Sequence, residues 1–128
     1  MQLKSFARLL LPALAAVSLF AQPAADRKVT TVMATLTVKE GISRDQLVKV
    51  MPTEVRDTVN LYLDGKIRDW YARGDGKGVV FFLDCTTVEE AKAIVEKLPL
   101  IKGNLASFEF MPLGPLTPLR YLLAPPAK

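Results

Sequence analysis

Few residues in this sequence can move a proton. There is no histidine and only one cysteine, Cys85. This excludes Ser-His-Asp and Cys-His catalysis and leaves a transition-metal site short of ligands. Cys85 closes the apolar run GVVFFLDC with nothing beside it to take its proton, the setting of an inert thiol rather than of a nucleophile. Carboxylates remain, and they titrate near neutral pH only when desolvated. Glu109 is placed best for that, between Phe108 and Phe110 in ASFEFMPL, where a carboxyl could serve as base and, once protonated, as acid. In IRDWYAR, Asp69, Tyr71 and Arg73 alternate, so a phenol able to bind a carbonyl and a guanidinium able to hold a carboxylate share one side. Two plainer readings stay open. Glu109 could be a charged guard on an edge strand, and Tyr71 and Arg73 could be packing and a solvated charge beside a turn.

These residues need elements to position them. Val29 to Val38 (VTTVMATLTV) alternates with β-branched residues and predicts a strand. Ser43 and Gln46 have capping-box spacing, with Ile42 and Leu47 as a hydrophobic staple, so a helix starts at Ser43. Pro52 predicts a break into two helical pieces. The second, Pro52 to Asp64, is expected to turn Val55, Val59, Tyr62 and Leu63 inward and Glu54, Arg56, Asp57 and Asn60 outward, ending at Gly65.

Ile67 to Arg73 and Gly78 to Cys85 read as a hairpin around Gly74-Asp75-Gly76-Lys77. The Arg-Gly-Asp triplet and the three glycines in RGDGKG are therefore turn chemistry. A phosphate loop would need a helix after it, and a strand follows. Trp70 is expected under the helices and Tyr71 on the other face. Thr86 and Thr87 with Glu89 and Glu90 offer overlapping caps to a second helix running through Lys97, with Val88, Ala91, Val95 and Leu98 as its buried stripe. Ala106 to Leu113 is the last strand.

The order is strand, helix, strand, strand, helix, strand, an α+β, ferredoxin-like βαββαβ plan with a four-stranded antiparallel sheet and two helices on one face. The other face carries Thr31, Met33, Thr35, Thr37, Glu109 and Met111 by parity, too apolar a set to meet water alone. Two such sheets face to face would form a dimeric α+β barrel with a partly polar interior. Residues 114–128, rich in proline and leucine, form a tail expected to pack on something.

The chain opens with Lys4 and Arg8 before a weakly polar to apolar run from Leu9 to Ala21, the pattern of a secretory signal peptide over residues 1–21, with 22–28 as a short linker. Lys4 and Arg8 are two of 17 basic residues, so the remainder holds 15 against 13 acidic ones. That balance does not point to nucleic acid. The expectation is one exported domain, periplasmic or secreted, free of the membrane after cleavage and without an internal disulfide.

Over residues 29–113 the sequence resembles the muconolactone isomerases, small dimeric α+β-barrel proteins. The resemblance is carried by DGKIRDWYARGDGKGVVFFLD, with Gly65, Arg68, Tyr71 and Asp84 in matching places, and by TTVEEAKAIVEKLPL. It implies a proton shift in a small unsaturated lactone or related acid inside a homodimer cavity. Glu109 would be the proton carrier and Tyr71 the orienting group, Arg73, Asp69 and Thr35 would contact the substrate, and neither metal nor cofactor would be needed. The alternative on the same scaffold is a non-catalytic module that binds a small apolar or carboxylate-bearing ligand or a protein partner.

Overall fold

Alternation makes the first strand and sets the faces of the sheet. In the computed structural model, which describes residues 28–116 and Leu123, β1 spans Thr31–Val38 with Val32, Ala34 and Leu36 buried. The elements that follow are α1 (Arg44–Leu63), β2 (Ile67–Ala72), β3 (Gly78–Leu83), α2 (Val88–Val95), α3 (Pro99–Lys102) and β4 (Ala106–Leu113). The sheet order is β2-β3-β1-β4, antiparallel throughout. This is the α+β, ferredoxin-like arrangement expected from the pattern. The expected leader and most of the tail lie outside the described residues.

The caps are where the sequence puts them. Ser43 accepts from the Gln46 N–H while the Gln46 side chain accepts from the Ser43 N–H, closing the box. Gly65, at φ +73, follows the C-cap Asp64 and supplies the left-handed residue that ends α1. At α2, Thr87 accepts from the Glu90 N–H, and the Glu90 carboxylate reaches back to the Thr86 N–H.

Three expectations about the helices are corrected. Pro52 does not divide α1, which is one 20-residue helix. The carbonyl a proline leaves unbonded is that of Val48, and both residues are exposed, so water can serve it. Second, the helix is rotated from the expected phase: Val55 and Val59 are 52% and 37% exposed, Tyr62 and Leu63 are also exposed, and Glu54, read as outward, is 5% exposed. Third, α2 stops at Val95 rather than at Lys97, and Pro99, well suited to a first helical position, starts the separate α3.

The core lies between the sheet and α2. Val32, Ala34, Ile67, Phe81 and Leu83 from the strands pack with Ala91, Val95 and Leu98, and Cys85 is buried at its edge. A smaller cluster joins Leu36, Leu100 and Ala106. The only buried residues of the long helix α1 are Glu54 and Thr58. It therefore lies over the β2 half of the sheet without pressing a fully buried apolar side chain into it.

A register shift between Ile67 and Asp69 sets the faces of β2. The extra residue lets Ile67 and Trp70 lie on the helix side, while Asp69 and Tyr71 pair with Phe82 and Val80 on the other. Trp70 is on the expected face, but it is an edge residue, 37% exposed and stacked on Tyr62 of α1 with ring centroids 4.7 Å apart. The hairpin turns at Gly76, φ +69.

Candidate functional site

The residues singled out in the sequence gather on the open face of the sheet. Pairing places Tyr71, Val80, Thr35 and Glu109 in one row across all four strands. Tyr71 and Glu109 occupy its two ends, three strand spacings or roughly 14 Å apart. Tyr71 is 58% exposed and meets Phe82 edge-on at 6.1 Å between centroids. Glu109 and Asp69 are exposed, and Thr35 is half-buried. Met33, Val80, Phe82 and Met111 add apolar surface to this face, and Met111 is 54% exposed.

Arg73 is committed to the hairpin. One guanidinium nitrogen donates to the Thr37 hydroxyl at 2.5 Å and to the Leu36 carbonyl at 3.4 Å, and the other donates to Asp75 at 2.5 Å. Its reach to β1 passes Gly78, which pairs with Thr37 and has no side chain to block it. The Lys77 N–H donates to Asp75 at 2.9 Å, and that bond, with Arg73 adding, holds the Asp75 carboxyl below its ordinary value.

A different place has the form of a binding site. Between α1 and the helix side of the sheet lies a cleft of about 500 Å³. Its walls are Leu47, Met51, Val55 and Val59 from α1, Leu36 and Val38 from β1, Val79 and Phe81 from β3, Trp70 and Ala72 from β2, and Leu100 from α3. The polar side chains in the wall are Glu54 and Thr58, four residues apart and therefore on one helix face. Tyr71 borders the mouth, its ring turned to the other face against Phe82.

Glu54 is the unusual group. Its carboxylate accepts a hydrogen bond from the backbone N–H of Leu100 at 2.8 Å, within the first turn of α3. Leu98, the N-cap residue of α3, supplies no side-chain cap, so a carboxylate from α1 does that work. Burial raises the Glu54 carboxyl above its ordinary value, the Leu100 N–H pulls it part of the way back, and the charge of Asp57 adds to the rise. The Cys85 thiol is also pushed up, by burial first and then by Glu90 and Asp84, and remains an unreactive core residue.

The sequence did carry a signal for this site. Two stripes run along α1, one residue apart: Leu47, Val50, Glu54, Thr58 and Leu61, and Val48, Met51, Val55, Val59 and Tyr62. The second is purely apolar and the natural choice for the buried side, yet the first faces the sheet. A glutamate inside a stripe otherwise suited to burial is the mark of a carboxylate with a partner or a purpose.

Among the described residues no cluster of three or more His, Cys, Asp or Glu side chains could hold a metal ion, and no helix is long and apolar enough to cross a membrane. No protein-family model matches the chain, and the search of curated proteins finds no match either.

Proposed function

We propose that this chain is an exported, homodimeric protein that holds a small unsaturated carbonyl compound in the cleft under α1 and shifts a proton within it, an isomerisation of the muconolactone-isomerase type. The observation that carries this reading is Glu54, a carboxylate 5% exposed in the wall of an otherwise largely apolar cleft of about 500 Å³. Clefts of this size, apolar with one or two convergent polar groups, are the usual form of small-molecule sites.

The chemistry follows from the group. The Glu54 carboxylate takes a proton from the saturated carbon γ to the carbonyl of an unsaturated lactone, leaving a dienolate. The resulting acid, after its proton exchanges with water at the open side of the cleft, protonates the carbon α to the carbonyl. One C–H bond breaks and one forms, with no oxidant, reductant or cofactor. Burial that raises the carboxyl makes it a better base and keeps its acid form within reach of neutral pH. The Thr58 hydroxyl, on the same face of α1, can donate to the enolate oxygen. The resemblance over residues 29–113 supports the reaction class, and the leader supports export.

A second reading places the chemistry on the open face, where a second copy would cover the row that holds Tyr71, Thr35 and Glu109. With about 14 Å between Tyr71 and Glu109 of one protomer, a small substrate there would draw these groups from different protomers. Exchange of solvent deuterium into an unsaturated γ-lactone separates the two. Glu54→Gln should slow it by about a hundredfold or more, and Glu109→Gln by less than about threefold. The reverse pattern transfers the reaction to the dimer interior. Binding without exchange in the wild type leaves a ligand carrier.

A further inference from the structure

The charges around the cleft say what it can hold. Its wall contains one carboxylate, Glu54, and Asp57 adds negative potential to it. Among the described residues no lysine or arginine lines the cleft. Of the hairpin's two cations, Arg73 is turned to the other face and bonded to Thr37 and Asp75, and Lys77, between the lining residues Gly76 and Gly78, is not itself in the lining. A carboxylate entering here would lose its hydration, find no cation and meet a like charge. An uncharged molecule loses much less, and one with a hydroxyl or N–H can donate to Glu54.

We infer that the cleft selects uncharged, ring-sized compounds that carry a hydrogen-bond donor, and that it rejects carboxylates of the same shape. This rests on the cleft being the ligand site, and it narrows the substrate from lactone acids to phenols and to neutral lactones or enones that bear a hydroxyl or N–H. The apolar wall, Trp70 included, supplies affinity, and Glu54 sets orientation.

Trp70 is the only tryptophan in the chain and lines the cleft, so its emission reports occupancy. The experiment titrates the mature protein at pH 7 with 4-tert-butylphenol and, separately, 4-tert-butylbenzoate, exciting at the red edge of the indole band, with calorimetry for the dissociation constants. The phenol should bind at least about tenfold more tightly. Met51→Lys is the companion variant. Met51 lines the cleft and is 39% exposed, so a lysine there can extend its charge to the mouth without entering the core. It should strengthen benzoate binding and move the ratio by about tenfold or more in favour of the acid.

Equal or tighter binding of the benzoate by the wild type overturns the selection by charge while leaving the cleft as the site. A ratio that Met51→Lys does not move places the probes elsewhere and overturns the inference. Failure of both probes to alter Trp70 emission overturns the cleft itself. Phenol binding with the stated preference, but no lactone exchange, upholds this inference and removes only the isomerase reading.

Discussion

Glu54 on α1 and Leu100 on α3 are 46 positions apart in sequence, and the carboxylate of one caps the backbone N–H of the other at 2.8 Å. This bond ties the helix that forms one wall of the cleft to the segment that leads into β4. Glu54→Ala removes the cap and exposes the Leu100 N–H to an apolar surrounding, at a cost of about 1–2 kcal/mol. Glu54→Gln keeps an acceptor in place without the buried charge and should lose none of that stability at pH 7. Urea midpoints for the two variants, with amide exchange at Leu100, check the order.

The same carboxyl gives stability a pH dependence of definite sign. Its folded value lies above the ordinary 4.5, so the folded chain holds this proton more tightly than the unfolded one. The stabilisation from the protonated form is fully present below about 4.5 and is lost as pH rises through the folded value. Glu54→Gln should abolish that loss and, at pH 7, be at least as stable as the wild type. Asp75 runs the other way: its contribution is present above the ordinary 3.8 and is lost as pH falls through its lower folded value. Midpoints measured from pH 3 to pH 8 for the wild type and Glu54→Gln isolate the Glu54 contribution. A slope that survives the substitution assigns it to another group.

A stable but inactive Glu54→Gln enzyme would mark a residue kept for function against its effect on folding. That combination was not legible in the sequence, whereas much of the fold was. The period of two in β1, the Ser43 box and the Asp75-Gly76 turn each fix structure through contacts a few residues apart, which one chain displays directly. The face that α1 turns to the sheet depends on Leu100, Trp70 and the register shift after Ile67. With two apolar stripes one residue apart, local patterning selected the purer one, and that one borders the cleft and solvent. Glu109 stood out because phenylalanines flank it in sequence, but Phe108 and Phe110 turn to the helix side, opposite to Glu109, and so do not desolvate it.

The glycines of the hairpin separate two costs. Gly76 has φ +69 and open space around a built Cβ, so Gly76→Ala suffers only left-handed strain, about 1 kcal/mol. Gly78 has an ordinary φ, but a Cβ there would lie 2.0 Å from the Leu36 carbonyl oxygen. Backbone must move to admit it, so Gly78→Ala should cost more, about 2–3 kcal/mol, and loosen the Arg73 bond to Thr37. Thermal midpoints give the order, and equal losses would remove the steric account.

The last prediction concerns the open face. Met33, Phe82 and Met111 form one row across three adjacent strands of the sheet, with Val80 in the next row. Met111 is 54% exposed, and no helix covers this side among the described residues. An apolar surface of that kind on a small domain with no disulfide favours burial against a second copy, sheet to sheet. Met111→Glu sets a charge within the apolar row that such an interface would cover, and should convert a dimer into a folded monomer. Light scattering at micromolar concentration reads the mass, and circular dichroism establishes that the monomer is folded. A wild-type protein that is monomeric throughout would remove the barrel, and with it any site that needs Glu109 from one copy and Tyr71 from the other. The cleft under α1, built entirely within one chain, would be untouched.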